Sequence, residues 1–206
     1  MYLIDLEYFP RVNYIINLYK SGSVHFSSLE PIKKSTFRNK MQVSSSSGIL
    51  TLSIPLRGGR SVKLPYGEVE IDYKANWQNL HFKTIRTVYG SAPYFQFYAP
   101  VLSELYAKKI ERLFDWNILC FDSFLKLSKM SNMIQYSSTQ VVNKEMLKPS
   151  EIIPNEDFQK GLELHTYEQV FSKKIGFKPN MSCIDMLMNL GPDSGKYIMD
   201  LTNKLH

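Results

Sequence analysis

Arg38 and Asn39 are the pair in this sequence best equipped to grip an anion. A guanidinium presents a planar fork that meets a phosphate or carboxylate with two parallel hydrogen bonds. The neighbouring carboxamide adds donors and an acceptor. Lys34, four residues earlier, supplies a further cation. The competing reading is an ion pair between Arg38 and an acid such as Glu30. His81 is the candidate base, because an imidazole titrates near neutral pH and can take a proton from a hydroxyl or amine. It stands four residues after Trp77, downstream of Asp72 and Tyr73, which are candidates to orient it, the alternative being that Asp72 is simply exposed. The competing reading is a core histidine on the apolar face of a helix. Tyr8 and Tyr14 flank the start of the first helix and are candidates to wall a pocket. The backbone amides of Arg11–Asn13 open that helix, a position that favours an anion. Tyr89, Tyr94, Phe95, Phe97 and Tyr98 crowd around Pro93, where they either stack on a sugar or base or pack the core.

Charge points to the same stretch. The net charge of +6 is carried by residues 1–90, with 12 basic residues against 6 acidic, while residues 91–206 balance at 13 each. Between Glu30 and Lys63 lie seven bases (Lys33, Lys34, Arg38, Lys40, Arg57, Arg60, Lys63) and one acid. Such a block draws in anions, or is a solvated basic face. The expectation is that these cations converge with His81 on one cavity. No glycine-rich dinucleotide fingerprint, phosphate loop or nucleophile elbow is present. No two of the four histidines are four residues apart, and two cysteines without a close pair cannot form a standard zinc site, so no metal ligand is assigned. Cys120 and Cys183 read as buried free thiols in a reducing compartment.

The elements that must position these groups follow from periodicity. Met1–Leu6 reads as a strand. Val12, Ile15, Ile16 and Tyr19 have helical spacing and end at Gly22, and Val24–Phe26 reads as a second strand. That is a strand–helix–strand unit, with ligands expected at the carboxyl end of its first strand, Glu7–Pro10. Met41–Val43 and Ile49–Pro55 form a hairpin about Ser44–Gly48, and Val69 and Ile71 alternate as in a strand. Beyond, helices are expected over about Asn76–Tyr89, from Leu102 through Leu125, within Thr166–Lys174, after a capping box Ser182–Asp185, and at Tyr197–Leu201. The apolar pattern weakens over 128–155, a loop or linker. The 206 residues, 44% hydrophobic and 21% charged, therefore read as one α/β domain. It has a mixed sheet in the N-terminal half and a mainly helical C-terminal half. No apolar run reaches the ~18 residues of a membrane span, and no secretory leader is visible.

Six segments in order resemble the WbqC-like family of bacteria. They are EYFPRVNY from Glu7, KSTFRNK from Lys34, LSIPLRGGR from Leu52, IDYKANWQNLHF from Ile71, VYGSAPYFQFY from Val88, and YEQVFSKKIGFKPNMSCIDMLMNLGP from Tyr167. Two departures stand out: no acid follows the second strand at Phe26-Ser27-Ser28, and Phe82 replaces the second aromatic of a His-Trp pair. The resemblance implies a cytoplasmic protein of surface polysaccharide and O-antigen biosynthesis. It also implies a transferase acting on an anionic small-molecule substrate such as a nucleotide sugar. His81 would be catalytic, with Lys34, Arg38, Asn39, Tyr8, Tyr14 and Trp77 binding substrate; the cofactor is left unknown. The alternatives are a non-catalytic module for anions or nucleic acid, disfavoured by the small charge excess, and a structural partner in a biosynthetic assembly.

Overall fold

The computed structural model describes residues 2–29, 31, 36–59, 63–138 and 166–204. Lys33, Lys34 and Arg60 lie outside the described residues, as does 139–165, most of the expected linker. Strand β1 (Tyr2–Ile4) leads through a turn into α1 (Val12–Ser21), which returns to β2 (Ser23–Phe26). β2 pairs in parallel with β1, Tyr2 opposite Val24, as the strand–helix–strand reading requires. Gly22 closes α1 with a positive φ of 68°, donating its N–H to the Tyr19 carbonyl. β5 (Gln135–Ser137), inside the segment read as a linker, adds to the other edge of β2, again in parallel. The sheet order is thus β1-β2-β5.

The hairpin is present, but as a separate antiparallel pair. β3 (Lys40–Ser45) meets β4 (Gly48–Ser53) with Met41 opposite Leu52 and Ser45 opposite Gly48. Val69 and Ile71 form no strand. Their segment makes isolated bridges instead, Leu56 to Ile71 and Glu70 to Arg112, because its neighbours on both sides are loops.

Helices α2 (Trp77–Tyr89), α3 (Phe95–Ala107) and α4 (Leu113–Leu127) make up the middle of the chain. α3 begins seven residues earlier than its aliphatic residues suggest. Phe95, Tyr98, Leu102 and Leu105 share one buried face, so most of the aromatic run is helix and core. α5 (Ser172–Ile175), α6 (Cys183–Leu190) and α7 (Ser194–Lys204) complete the chain, with α7 laid on α1. Ser182 caps α6, accepting from the Ile184 amide at 3.3 Å. The expected return from Asp185 is not made, since its carboxylate is taken by side chains elsewhere. No helix among the described residues is long and apolar enough to cross a membrane.

Candidate functional site

The segment Asp5–Arg11, at the carboxyl end of β1, gathers most of the singled-out residues into a buried polar knot. Phe9 holds it in a strained backbone, with φ of 41°, rare for a bulky side chain. The strain is offset by the start of α6: Ser182 Oγ donates to the Phe9 carbonyl at 2.8 Å and the Cys183 amide to the Pro10 carbonyl at 2.7 Å.

Tyr8 and His81 meet here. The Tyr8 hydroxyl lies 3.0 Å from His81 Nδ1 and 2.5 Å from the Tyr106 hydroxyl. Burial pulls the His81 pKa down to about 4, partly countered by a hydrogen bond to the Ser53 backbone. A neutral imidazole has one N–H. With that proton on Nε2 and given to the Ser53 carbonyl, Nδ1 accepts from Tyr8. Tyr8 in turn accepts from Tyr106. Burial keeps both phenols protonated well above the ordinary tyrosine range. Trp77 stands edge-on to His81, with ring centroids 5.2 Å apart, and edge-on to Trp116 at 5.3 Å. Both indole N–H groups are buried without a hydrogen-bond partner among the described residues.

Arg38 lies on the other side of the same segment. It is 1% exposed; Nη2 pairs with Asp5 at 2.5 Å and Nη1 donates to the Pro31 carbonyl at 2.8 Å. Its guanidinium sits over the Tyr66 ring, 4.8 Å from the centroid. Tyr14 donates to the Asp5 backbone carbonyl, and Asn39 Nδ2 to the Ile54 carbonyl at 2.9 Å. The expected partner of Arg38, Glu30, is outside the described residues; the acid that takes it is Asp5.

The start of α1 is closed to an outside anion. The Arg11 amide donates to Glu7 at 3.3 Å, the Val12 amide to the Met181 carbonyl, and the Asn13 amide to Asn180 Oδ1 at 3.0 Å. Glu7, ion-paired with Arg11 at 2.9 Å, is the anion this helix start was expected to attract.

A cleft of about 760 Å³ opens beside the knot, between residues following β2, the turn at Tyr66–Glu68 and the start of α4. Neither His81 nor Arg57, Lys40 or Lys63 lines it. Arg57 is paired with Glu70 at the surface. The expected convergence of the basic block on one cavity is therefore not found among the described residues: the fold buries Arg38 against Asp5 and sends Arg57 to a different acid.

Sequence reasoning missed Tyr106, Ser53, Trp116 and Asn117. Asn117 had a legible signal, a carboxamide within the apolar run of α4. It is fully buried and donates to the Arg38 carbonyl at 2.6 Å. Tyr106, at the end of α3, had none.

The WbqC-like protein family model matches residues 7–157, a span that opens at Glu7 and includes the knot's Tyr8, Arg38, His81 and Tyr106. No curated protein and no solved structure matches the chain.

Proposed function

The chain belongs to the WbqC-like protein family, and on that premise we propose that it is a group transferase of bacterial surface polysaccharide assembly, of the O-antigen type, acting on an anionic activated substrate such as a nucleotide sugar. The observation that carries the reading is the buried chain Tyr106–Tyr8–His81. Burying an imidazole costs stability, and its lone pair here faces a phenol rather than solvent. Such perturbed groups concentrate at functional sites, and the strained Phe9 adjoins this one. In this arrangement His81 acts on Tyr8: it is the hydrogen-bond acceptor that orients the phenol. Arg38, Asn39, Tyr14 and Trp77 are positioning residues, because their polar or ring contacts are to the chain itself.

The test begins with a thermal-shift screen of nucleotide sugars and of acyl and aminoacyl donors. A ligand at 100 times its Kd stabilises by about 2.7 kcal/mol. With a hit in hand, Tyr8→Phe and His81→Gln lower turnover while circular dichroism stays native. No hit across the donors, or full turnover in both variants, overturns the reading.

A nucleic-acid module draws no support from the described residues, where Arg38 and Arg57 are spent on internal ion pairs. The assembly-partner reading has one observation behind it: Phe97 and Val101, a turn apart on α3, are exposed.

A further inference from the structure

We propose that the cleft beside α4 binds a small ligand that carries a primary ammonium group on a partly apolar body. Its volume of about 760 Å³ falls within the range of small-molecule sites. It opens past Ser28 and Ser138, two residues and one residue beyond the carboxyl ends of β2 and β5, where α/β sheets characteristically receive ligands.

The walls are fixed by backbone hydrogen bonds. Gly67 donates to the Ser28 carbonyl at 2.8 Å, Ile71 to that of Glu111 at 2.9 Å, and Leu113 to that of Val69 at 2.9 Å. Phe114, braced edge-on by Tyr66 at 5.2 Å, and Ile118 supply an apolar surface. Leu29 and Leu64 also line the cleft and are 44% and 45% exposed, so the fold leaves two large aliphatic side chains wet at one opening. A ligand with a hydrocarbon face relieves that exposure.

Charge then selects the ligand's polar end. Among the described residues, Glu68, Glu70, Glu111 and Asp115 line the cleft against a single cation, Arg112. Arg57 neutralises Glu70. The other three acids have no ion-pair partner among the described residues. The described lining is net negative, which disfavours a phosphate and favours a cation. A divalent ion is disfavoured by geometry, since no three acids, histidines or cysteines among the described residues are grouped to hold a metal. An ammonium has no such requirement. It needs only one carboxylate, and its remaining N–H donors can bond water while its body covers Phe114 and Ile118. This reading does not depend on the transfer reaction, and none of its residues belongs to the His81 chain.

The experiment is amide-resolved NMR titration of the full chain with benzylamine, matched against benzyl alcohol, inorganic phosphate and magnesium. Benzylamine is expected to shift amides within 64–70 and 111–118 saturably, with benzyl alcohol roughly tenfold weaker for want of the charged hydrogen bonds. The double variant Glu68→Gln/Glu111→Gln is expected to lose roughly tenfold in benzylamine affinity. Asp115→Asn serves as the second variant should the double one fail to fold, with loss of affinity again expected. Absence of binding, equal binding of the alcohol, tighter binding of phosphate or magnesium at the same amides, or undiminished affinity in a folded variant each overturns the proposal.

Discussion

Tyr8 and His81, 73 residues apart in the chain, share a hydrogen bond of 3.0 Å in a core from which water is excluded. Its first consequence is for acid stability. The His81 pKa is about 4 in the folded protein against an ordinary value of about 6.5, so the unfolded chain binds the extra proton first. The contribution is fully present above pH 6.5 and is lost as the pH falls from about 6.5 to about 4. The loss is of order 3 kcal/mol for a group this buried. Urea unfolding of wild type and His81→Gln across that window measures it: the wild type loses stability more steeply, and parallel curves contradict the assignment.

Arg38 and Asp5 form an unequal pair, because the arginine side chain is 1% exposed and the aspartate 34%. Removing either leaves its partner in a different predicament. Asp5→Asn strands a guanidinium that cannot deprotonate and has little water, and is expected to cost about 3 kcal/mol. Arg38→Met leaves a carboxylate that can hydrate, and is expected to cost about 1–2 kcal/mol. Chemical denaturation of both variants gives the order; a larger loss from Arg38→Met contradicts the account.

Gly191 carries the ring of Tyr94 against its backbone. A Cβ there would stand 2.4 Å from the ring, at a residue whose φ is already positive at 58°. Gly191→Ala is expected to destabilise by about 3 kcal/mol, combining overpacking with backbone strain. In a Tyr94→Ala background the steric part vanishes, so the same substitution should cost about 1–2 kcal/mol less. Additive effects in the double-mutant cycle would exclude the clash.

Asp185 is a fully buried carboxylate that accepts from Tyr89 at 2.8 Å, Tyr167 at 2.6 Å and Gln169 at 2.8 Å. Burial raises its pKa despite these donors. Asp185→Ala leaves three donors facing a void and is expected to cost about 3 kcal/mol. Tyr89→Phe leaves the carboxylate two of its donors, removes the hydroxyl's contact with the Ser44 backbone as well, and should cost about 1–2 kcal/mol. Thermal unfolding of the two variants distinguishes them, and equal losses would show that the donors find other partners.

Local physics made part of this legible in the residues. The spacing of α1 and its Gly22 stop, and the alternation of Leu52 and Ile54 about a serine turn, are each written within a dozen positions. The start of α3 was obscured because Pro93 and a run of aromatics look like a loop, although Phe95, Tyr98 and Leu102 keep helical spacing. The site was less legible because its pairings are long-range. Arg38 reaches Asp5 across 33 residues, and Tyr8 reaches Tyr106 across 98. Ser182 and Asp185 have the composition of a capping box, yet only Ser182 caps. The rest is decided by Tyr89 and Tyr167, which no local window contains.

The clamp on Phe9 and Pro10 comes from Ser182 and Cys183, and Asn180 bonds the same loop to α1 across 167 residues. During synthesis the turn at Phe9 and Pro10 must therefore wait, unlatched, until Asn180, Ser182 and Cys183 have also left the ribosome. Nascent chains stalled ahead of Asn180 would carry the Tyr8 motif without its fastener.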